Sequence, residues 1–490
     1  MDRSRAAPLL ATLLAALAAC SSSSNAPPPR PPVADAGATS DGGRDGAGLA
    51  GDAGLSSMAF AHQMIRDVDL LFVVDDAPGM AALQQTVRAA LPAFTDTLKS
   101  LPAGYPNLHV AVVSADLGAG AQPVPSCNAG GDRGVFWTVP RGGCAATGLP
   151  AGQGYFSIEG GETNFAPELG LADALSCVWP RVDVGCPFPH PFAAALRALG
   201  GDGAAPPPEN AGFLRPGAFL AIVVVTNQDD CSAPPDTQIF DPTSMYAADT
   251  FGPLTSFRCA RFGITCGGAP VPDDAAGALG ACASAEDGIL LRVSDAVAGL
   301  ESLKADPNMI LVASISGPPE PFAVELDPPG LPGDPNPWPS LSPSCRTGDG
   351  VTSARPGVRL EQWVYAFGHN GVLTSACDDP PTSLRAIATT IAGVLGPPCL
   401  TGALATKAGP HGTRPDCTIV DYPPAGGAGT PVPSCLDSSG VAPCWTLTDD
   451  AACPGGKLLG FMSPAGGPAV GADSSVQCVV CDDPADARCR

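Results

Sequence analysis

Four stretches of the chain are almost continuously apolar. They run over Asp69–Val74, Leu108–Ser114, Phe219–Thr226 and Met309–Ile315. Unbroken apolar runs of this length mark strands buried on both faces of a parallel sheet. Between them, apolar positions recur at helical spacing. Met80, Leu83, Val87, Leu91, Phe94 and Leu98 predict a helix over 80–99. Phe192, Leu196 and Leu199 predict one over 190–199, and Leu290, Val293, Val297, Leu300 and Leu303 one over 289–304. Leu384, Ile387, Ile391 and Val394 predict a last one over 383–395, and residues 165–177 also read as helical. The short segment Trp363–Phe367 reads as the lead-in to an edge strand. Strands alternating with helices imply an α/β fold, a doubly wound and mostly parallel sheet flanked by helices. Beyond Cys399 the periodicity fades and glycine, proline and cysteine dominate. That pattern predicts a small disulfide-rich domain.

The first twenty residues carry a different pattern. Arg3 and Arg5 precede an apolar run over Pro8–Ala19, which is short for a membrane span and suits a secretory signal. The run ends in Leu17-Ala18-Ala19-Cys20, which resembles the bacterial lipobox. The resemblance implies that Cys20 is lipidated and becomes the mature N-terminus. A plain signal peptide with an incidental cysteine is the alternative. Residues 21–57 are Ser, Pro, Gly, Ala and Asp with little to bury, so they are expected to form a disordered tether reaching roughly 35 Å. The expected domains are therefore 1–20 signal, 21–57 tether, 58–397 α/β domain and 398–490 Cys-rich domain. The expected location is the outer membrane, on its periplasmic or outer side, held there by the N-terminal lipid alone.

Charge narrows the partners. Acidic residues outnumber basic ones 48 to 25, a net charge of −23. Nucleic-acid binding needs a basic face, so it is excluded as an expectation. An envelope or extracellular protein remains the expected partner.

Of the 19 cysteines, setting Cys20 aside leaves an even number, as disulfides in an oxidising compartment require. Short separations suggest local bridges between Cys177 and Cys186, Cys259 and Cys266, and Cys435 and Cys444. The Cys478-Val-Val-Cys481 motif lacks a second ligand pair for zinc, and acidic residues follow it, which disfavours a thiolate. Two structural half-cystines are expected there.

Val68-Asp69-Leu70-Leu71-Phe72-Val73-Val74-Asp75, followed by a small-residue turn and Met80, resembles the first strand and loop of a von Willebrand factor A-type domain. The element order through LHVAVVSADLG, FLAIVVVTNQDD and MILVASIS resembles it too, over about residues 64–397. Segments such as NFAPELGLADALSC and PENAGFLRPGAFLAIVVVTNQDDCS, with the Cys-rich tail, resemble large lipoproteins predicted in bacteria related to myxobacteria. The resemblance implies a divalent-cation adhesion site, in which an Asp-x-Ser-x-Ser loop, a threonine and an aspartate hold the ion. Here Asp75 is present, but Ala77 and Gly79 stand where the serines belong, and Asn227 stands where the aspartate belongs. Asp75, Asp76, Thr163, Asn227 and Asp229 are the candidate ligands of a degenerate Mg²⁺ or Ca²⁺ site, with Asp116 and Asp230 nearby. The alternative is that Asp75 caps the helix after it.

None of the five histidines sits in an H-E-x-x-H pattern, and the chain has no G-x-S-x-G elbow and no phosphate-binding loop. No catalytic residue is assigned. The expected function is a lipid-anchored binding, adhesion or scaffold module without enzymatic activity. The alternatives are a metal-dependent hydrolase using the Asp cluster and a purely structural envelope lipoprotein.

Overall fold

The apolar runs become strands because both of their faces are covered. In the computed structural model, which describes residues 55–63, 67–101, 104–141, 144, 147–180, 185–395, 399–401, 403–421, 429–449, 456–464, 473–481 and 488, they form the centre of a seven-stranded sheet. The signal run, Cys20 and the tether up to residue 54 lie outside the described residues. The chain forms two units, one spanning Met64–Pro397 and the other Pro398–Arg490 together with Leu55–Gln63.

In the larger unit the elements are β1 (Asp67–Val74), α1 (Ala81–Lys99), β2 (Asn107–Ser114), β3 (Phe156–Glu159) and β4 (Glu162–Thr163). Then come α2 (Leu171–Cys177), α3 (Pro191–Leu199), β5 (Phe219–Val225), α4 (Phe257–Gly263) and α5 (Val293–Glu301). Last are β6 (Ile310–Ser316), α6 (Val358–Tyr365), β7 (Gly371–Ser375) and α7 (Pro380–Leu395). The sheet order is β7-β6-β5-β1-β2-β3-β4. The first five strands in that order pair in parallel, and β3 and β4 are antiparallel at one edge. This is the doubly wound order, with the strand order reversing between β1 and β5.

Alternate residues of one strand feed two cores. Leu70, Phe72 and Val74 pack with Leu83, Phe94 and Leu98 of α1, Leu175 of α2 and Ile387 of α7. Leu71 and Val73 pack with Phe192 of α3, Leu300 of α5 and Trp363 of α6. This two-sided burial explains why polar alternation is missing. All six periodic positions from Met80, the N-cap of α1, to Leu98 are buried.

Trp363–Phe367 does not lead into a strand. Leu360, Trp363 and Val364 fall at helical spacing on the buried side of α6, and Trp363 stacks near Phe192 with ring centroids 4.7 Å apart. The edge strand begins at Gly371 instead.

The smaller unit relies on cross-links and a modest core. Leu55–Gln63 pairs antiparallel with Asp473–Cys481. Residues 55–57 are therefore strand, not tether, and 58–63 belong to this unit, not to the α/β domain. The pairing spans sequence ends that no local signal connects. Trp445 packs with Leu400, Ile419, Leu459 and Val476.

Seven disulfides are seen among the described residues. Cys435 is joined to Cys444. Cys177 and Cys186 are not joined to each other: Cys177 pairs with Cys144, and Cys186 with Cys127. Cys259 pairs with Cys231 and Cys266 with Cys282, not with one another. Cys266 and Cys282 face each other across paired strands, so register, not separation, selects the partner. Cys345 pairs with Cys377 and Cys417 with Cys478, and Cys481 is disulfide-bonded as well. Cross-linking at this density belongs to proteins exported to an oxidising compartment. Among the described residues no helix is long and apolar enough to cross a membrane.

Asp69 is the carboxylate inside the first apolar run. Its Oδ1 accepts from Arg215 Nε at 2.8 Å and its Oδ2 from the Arg215 amide at 2.7 Å. Lys304 Nζ lies 3.5 Å from Oδ2 and donates to Arg215 O at 2.7 Å. Removing one partner strands buried charge. Asp69→Ala is expected to cost about 3–5 kcal/mol in denaturant unfolding, whereas an exposed-site control such as Asp236→Ala is expected to lose far less.

Candidate functional site

In a doubly wound sheet the ligand crevice lies outside the carboxyl ends of the strands, where their order reverses. Here that point falls between Val74 and Val225. The ladder runs one residue beyond each strand: Asp75 N donates to Val225 O at 2.9 Å, and Thr226 N to Ile315 O at 3.1 Å. Asp75 and Thr226 thus meet at the switch point. Thr226 Oγ1 donates to Asp75 Oδ2 at 2.7 Å, and Ala77 N donates to Asp75 Oδ1 at 2.9 Å. Gln84 Nε2 donates to Asp75 O at 2.7 Å, drawing the start of α1 against the loop. Asp75 is buried, and burial pushes its carboxyl up to about 6, against the lowering effect of those two hydrogen bonds.

Asp76 is buried beside it. Burial, then the charges of Asp75, Asp116 and Asp132, push it up to about 9, so it is a neutral acid at pH 7. Its carbonyl accepts from Gly185 N at 3.0 Å, and a Cβ on Gly185 would fall 2.1 Å from Asp76 Oδ1. Only glycine lets that backbone approach. Asp116 accepts from Gly118 N at 2.7 Å and Cys186 N at 3.1 Å, and Asp132 accepts from Ser114 Oγ at 2.5 Å.

Of the other predicted ligands, only Asn227 reaches the loop that carries Asp75. Thr163 pairs with Ile158, which pairs with Leu108, which is level with Val68. It therefore lies at the amino edge, six residues or roughly 20 Å from the end of β1, on an exposed hairpin that the sequence reading did not separate from the loop after it. Asn227 turns its Nδ2 to Gly79 O at 3.1 Å. Asp229 caps α6: Oδ2 accepts from Arg359 N at 2.9 Å, and Oδ1 from Leu360 N at 3.1 Å and Asp230 N at 2.9 Å. Burial pushes Asp229 up to about 6, opposed by those amides and by the Arg359 charge. Asp230 serves α3 in the same way. Its Oδ1 accepts from Phe192 N at 3.2 Å, and its Oδ2 pairs with fully buried Arg359 at 3.0 Å. The five candidates therefore do not fit a common cation. Among the described residues no three His, Cys, Asp or Glu side chains are placed to hold a metal ion.

What stays open at this edge is a cleft that the sequence reading missed. Pro78, Ala82, Asn227, Pro343 and Val351 line a cavity of about 320 Å³. Thr255, Phe257, Trp338 and Pro339 line a neighbouring one of about 200 Å³, and Gln228, Leu341 and Arg355 border both. Arg355 comes from a Ser-Ala-Arg-Pro-Gly loop that carries no periodic or motif signal.

Asp75 and Asp76 both titrate above an ordinary aspartate in the folded chain. Their contribution to stability is therefore full below about pH 4 and is lost as pH rises, through about 6 for Asp75 and about 9 for Asp76. Asp76→Asn is expected to raise the thermal midpoint at pH 8, on the order of 2 °C for each kcal/mol regained, and to leave it nearly unchanged at pH 4. Thr226→Val removes the hydroxyl donor of a buried carboxylate and is expected to cost about 1–3 kcal/mol, read by denaturant unfolding.

The sequence matches no protein-family model and no curated protein. Among solved structures, a von Willebrand factor type A protein from Catenulispora acidiphila is similar at 9% identity, covering 88% of this chain and 66% of that one, with a TM-score of 0.27. The pilus adhesin RrgA from Streptococcus pneumoniae is similar at 10% identity, covering 87% of this chain and 58% of that one, with a TM-score of 0.25. The α/β class of the larger unit follows from the register of its own strands, a mostly parallel sheet with helices on both faces.

Proposed function

We propose that this chain is an exported cell-envelope module that binds or scaffolds another protein through the carboxyl edge of its α/β unit. It acts without catalysing a reaction and is anchored by lipid on Cys20. The observation that carries this reading is the division of labour at that edge. Asp75, Asp229 and Asp230 spend their oxygens on Thr226, on backbone amides and on Arg359. A general base needs a free lone pair within reach of a substrate proton. The smaller cavity of the neighbouring cleft sets Phe257, Trp338 and Leu341 beside Arg355, the aromatic and arginine composition that protein interfaces favour. The lipobox and the dense disulfides support export to the envelope.

The test uses the full chain expressed in its host with a photoreactive side chain at Val351, 67% exposed on the cleft rim. A second variant carries it at Tyr365, 58% exposed at the C-terminal end of α6. Crosslinks to a discrete envelope protein are expected from position 351 and not from 365. Metabolic labelling with a radioactive fatty acid is expected in the wild type and absent in Cys20→Ala. Crosslinks from 365 alone, or none from either, would overturn the binding reading, and label retained in Cys20→Ala would overturn the anchor.

A further inference from the structure

Arg355 lies where the carboxyl ends of β5 and β6 meet, and its backbone is held from both. Its amide donates to Asn227 O at 2.9 Å. Its carbonyl sits against Gly317, where a Cβ would come within 1.9 Å of it. The guanidinium is fastened through one nitrogen only. Nη1 donates to Gln228 Oε1 at 3.0 Å and to Ser256 Oγ at 2.6 Å. Nε and Nη2 have no acceptor among the described residues; Asp327 lines the cavity of about 200 Å³ with Arg355 and acts on it by charge, without an ion pair among the described residues. Asp229 also lines the cleft, but its oxygens are held by the amides of Asp230, Arg359 and Leu360.

A guanidinium anchored through Nη1 presents its Nε/Nη2 edge, the fork that matches a carboxylate in two parallel hydrogen bonds. Because the group is fixed before any ligand arrives, little rotamer entropy remains to be lost on binding. The two cavities flank this one positive charge, and Gln228 and Leu341 join Arg355 in bordering both. A ligand that uses the whole cleft carries an acid in its middle and a group on either side. In a chain of net charge −23, a guanidinium without an ion-pair partner is the local feature that admits an anion.

We propose that the cleft binds an acidic side chain in an extended peptide segment of a partner protein. Its carboxylate sits on the Nε/Nη2 edge of Arg355, and the flanking residues fill the cavities beside Trp338 and beside Val351. This inference rests on the reading of the edge as a protein-binding surface and names the chemistry it selects.

Two tripeptide libraries, acetyl-X-Glu-X-amide and acetyl-X-Gln-X-amide with every natural residue at X, are titrated into the full chain by competition fluorescence anisotropy. The best Glu peptide is expected to bind at least tenfold more tightly than its Gln counterpart. Arg355→Gln is expected to erase that difference, and Arg355→Lys, which keeps the charge but not the fork, to weaken the Glu peptide at least threefold. If Arg355→Gln does not fold, the Arg355 Nε–H resonance of the wild type decides. It is expected to shift with the Glu peptide and not with the Gln peptide. The inference is overturned if no Glu peptide outcompetes its Gln partner up to millimolar concentration, or if folded Arg355→Gln binds as the wild type does. Crosslinks from position 351 that persist in Arg355→Gln would leave the binding module standing while this inference falls. Their absence in the wild type removes both.

Discussion

Arg359 is buried completely, and a buried guanidinium needs a counter-charge with excellent geometry. Asp230 supplies it, accepting from Nη2 at 3.0 Å, while Leu291 O accepts from the same nitrogen at 2.6 Å and Ser284 Oγ from Nη1 at 2.8 Å. Two helix N-termini sit beside the same acidic pair. Asp229 takes the first-turn amides of α6, and Asp230, with Ser232, takes those of α3. Carboxylates are favoured at helix N-termini by the unsatisfied N–H groups and the aligned peptide dipoles. One dipeptide after β5 therefore fastens two helices of one face of the sheet and fills the charge requirement of the arginine between them. The packing of Phe192 on Trp363 depends on it.

That arrangement changes what the acids at the carboxyl edge mean. Read along the chain, Asp75, Asp76, Asp116, Asp229 and Asp230 resemble a pool of oxygen ligands. In the fold they separate into jobs. Asp75 seals the switch point with Thr226, Asp229 and Asp230 anchor helices, and Asp76 is kept neutral by burial and by its neighbours' charge. A doubly wound sheet still offers its carboxyl edge for recognition. Here the space left open at that edge is the cleft around Arg355, not the loop after β1, and the charged group bordering both of its cavities is a guanidinium.

The cross-links follow the same logic of position. In the larger unit, Cys127–Cys186 sits in a buried cluster of its own insertions with Phe188, Phe240 and Leu290, and Cys144–Cys177 ties the loop before β3 to the end of α2. In the smaller unit, Cys417–Cys478 joins facing residues of neighbouring strands beside a core built around Trp445. A domain with so little to bury needs such staples.

The sequence by itself determined the layered α/β plan. Unbroken apolar runs at Leu70–Val74 and Phe219–Val225 can satisfy their burial only inside a two-sided sheet, and the spacing from Met80 to Leu98 can do so only as a helix. It also determined that cysteines pair and that Ala77 and Gly79, which carry no side-chain oxygen, stand in the loop after β1. Only the tertiary structure decided which cysteine meets which, because pairing depends on strand register and loop path. It also decided that Thr163 lies at the far edge, that Trp363 is helical, and that residues 58–63 join the smaller unit. Arg355 was silent in the sequence for a related reason. A lone arginine in a loop acquires meaning only when Gln228 and Ser256, from distant segments, fix one of its nitrogens and two cavities open beside the rest. Local periodicity records which faces are buried, but the convergence of side chains from separate loops is set by how the strands are ordered.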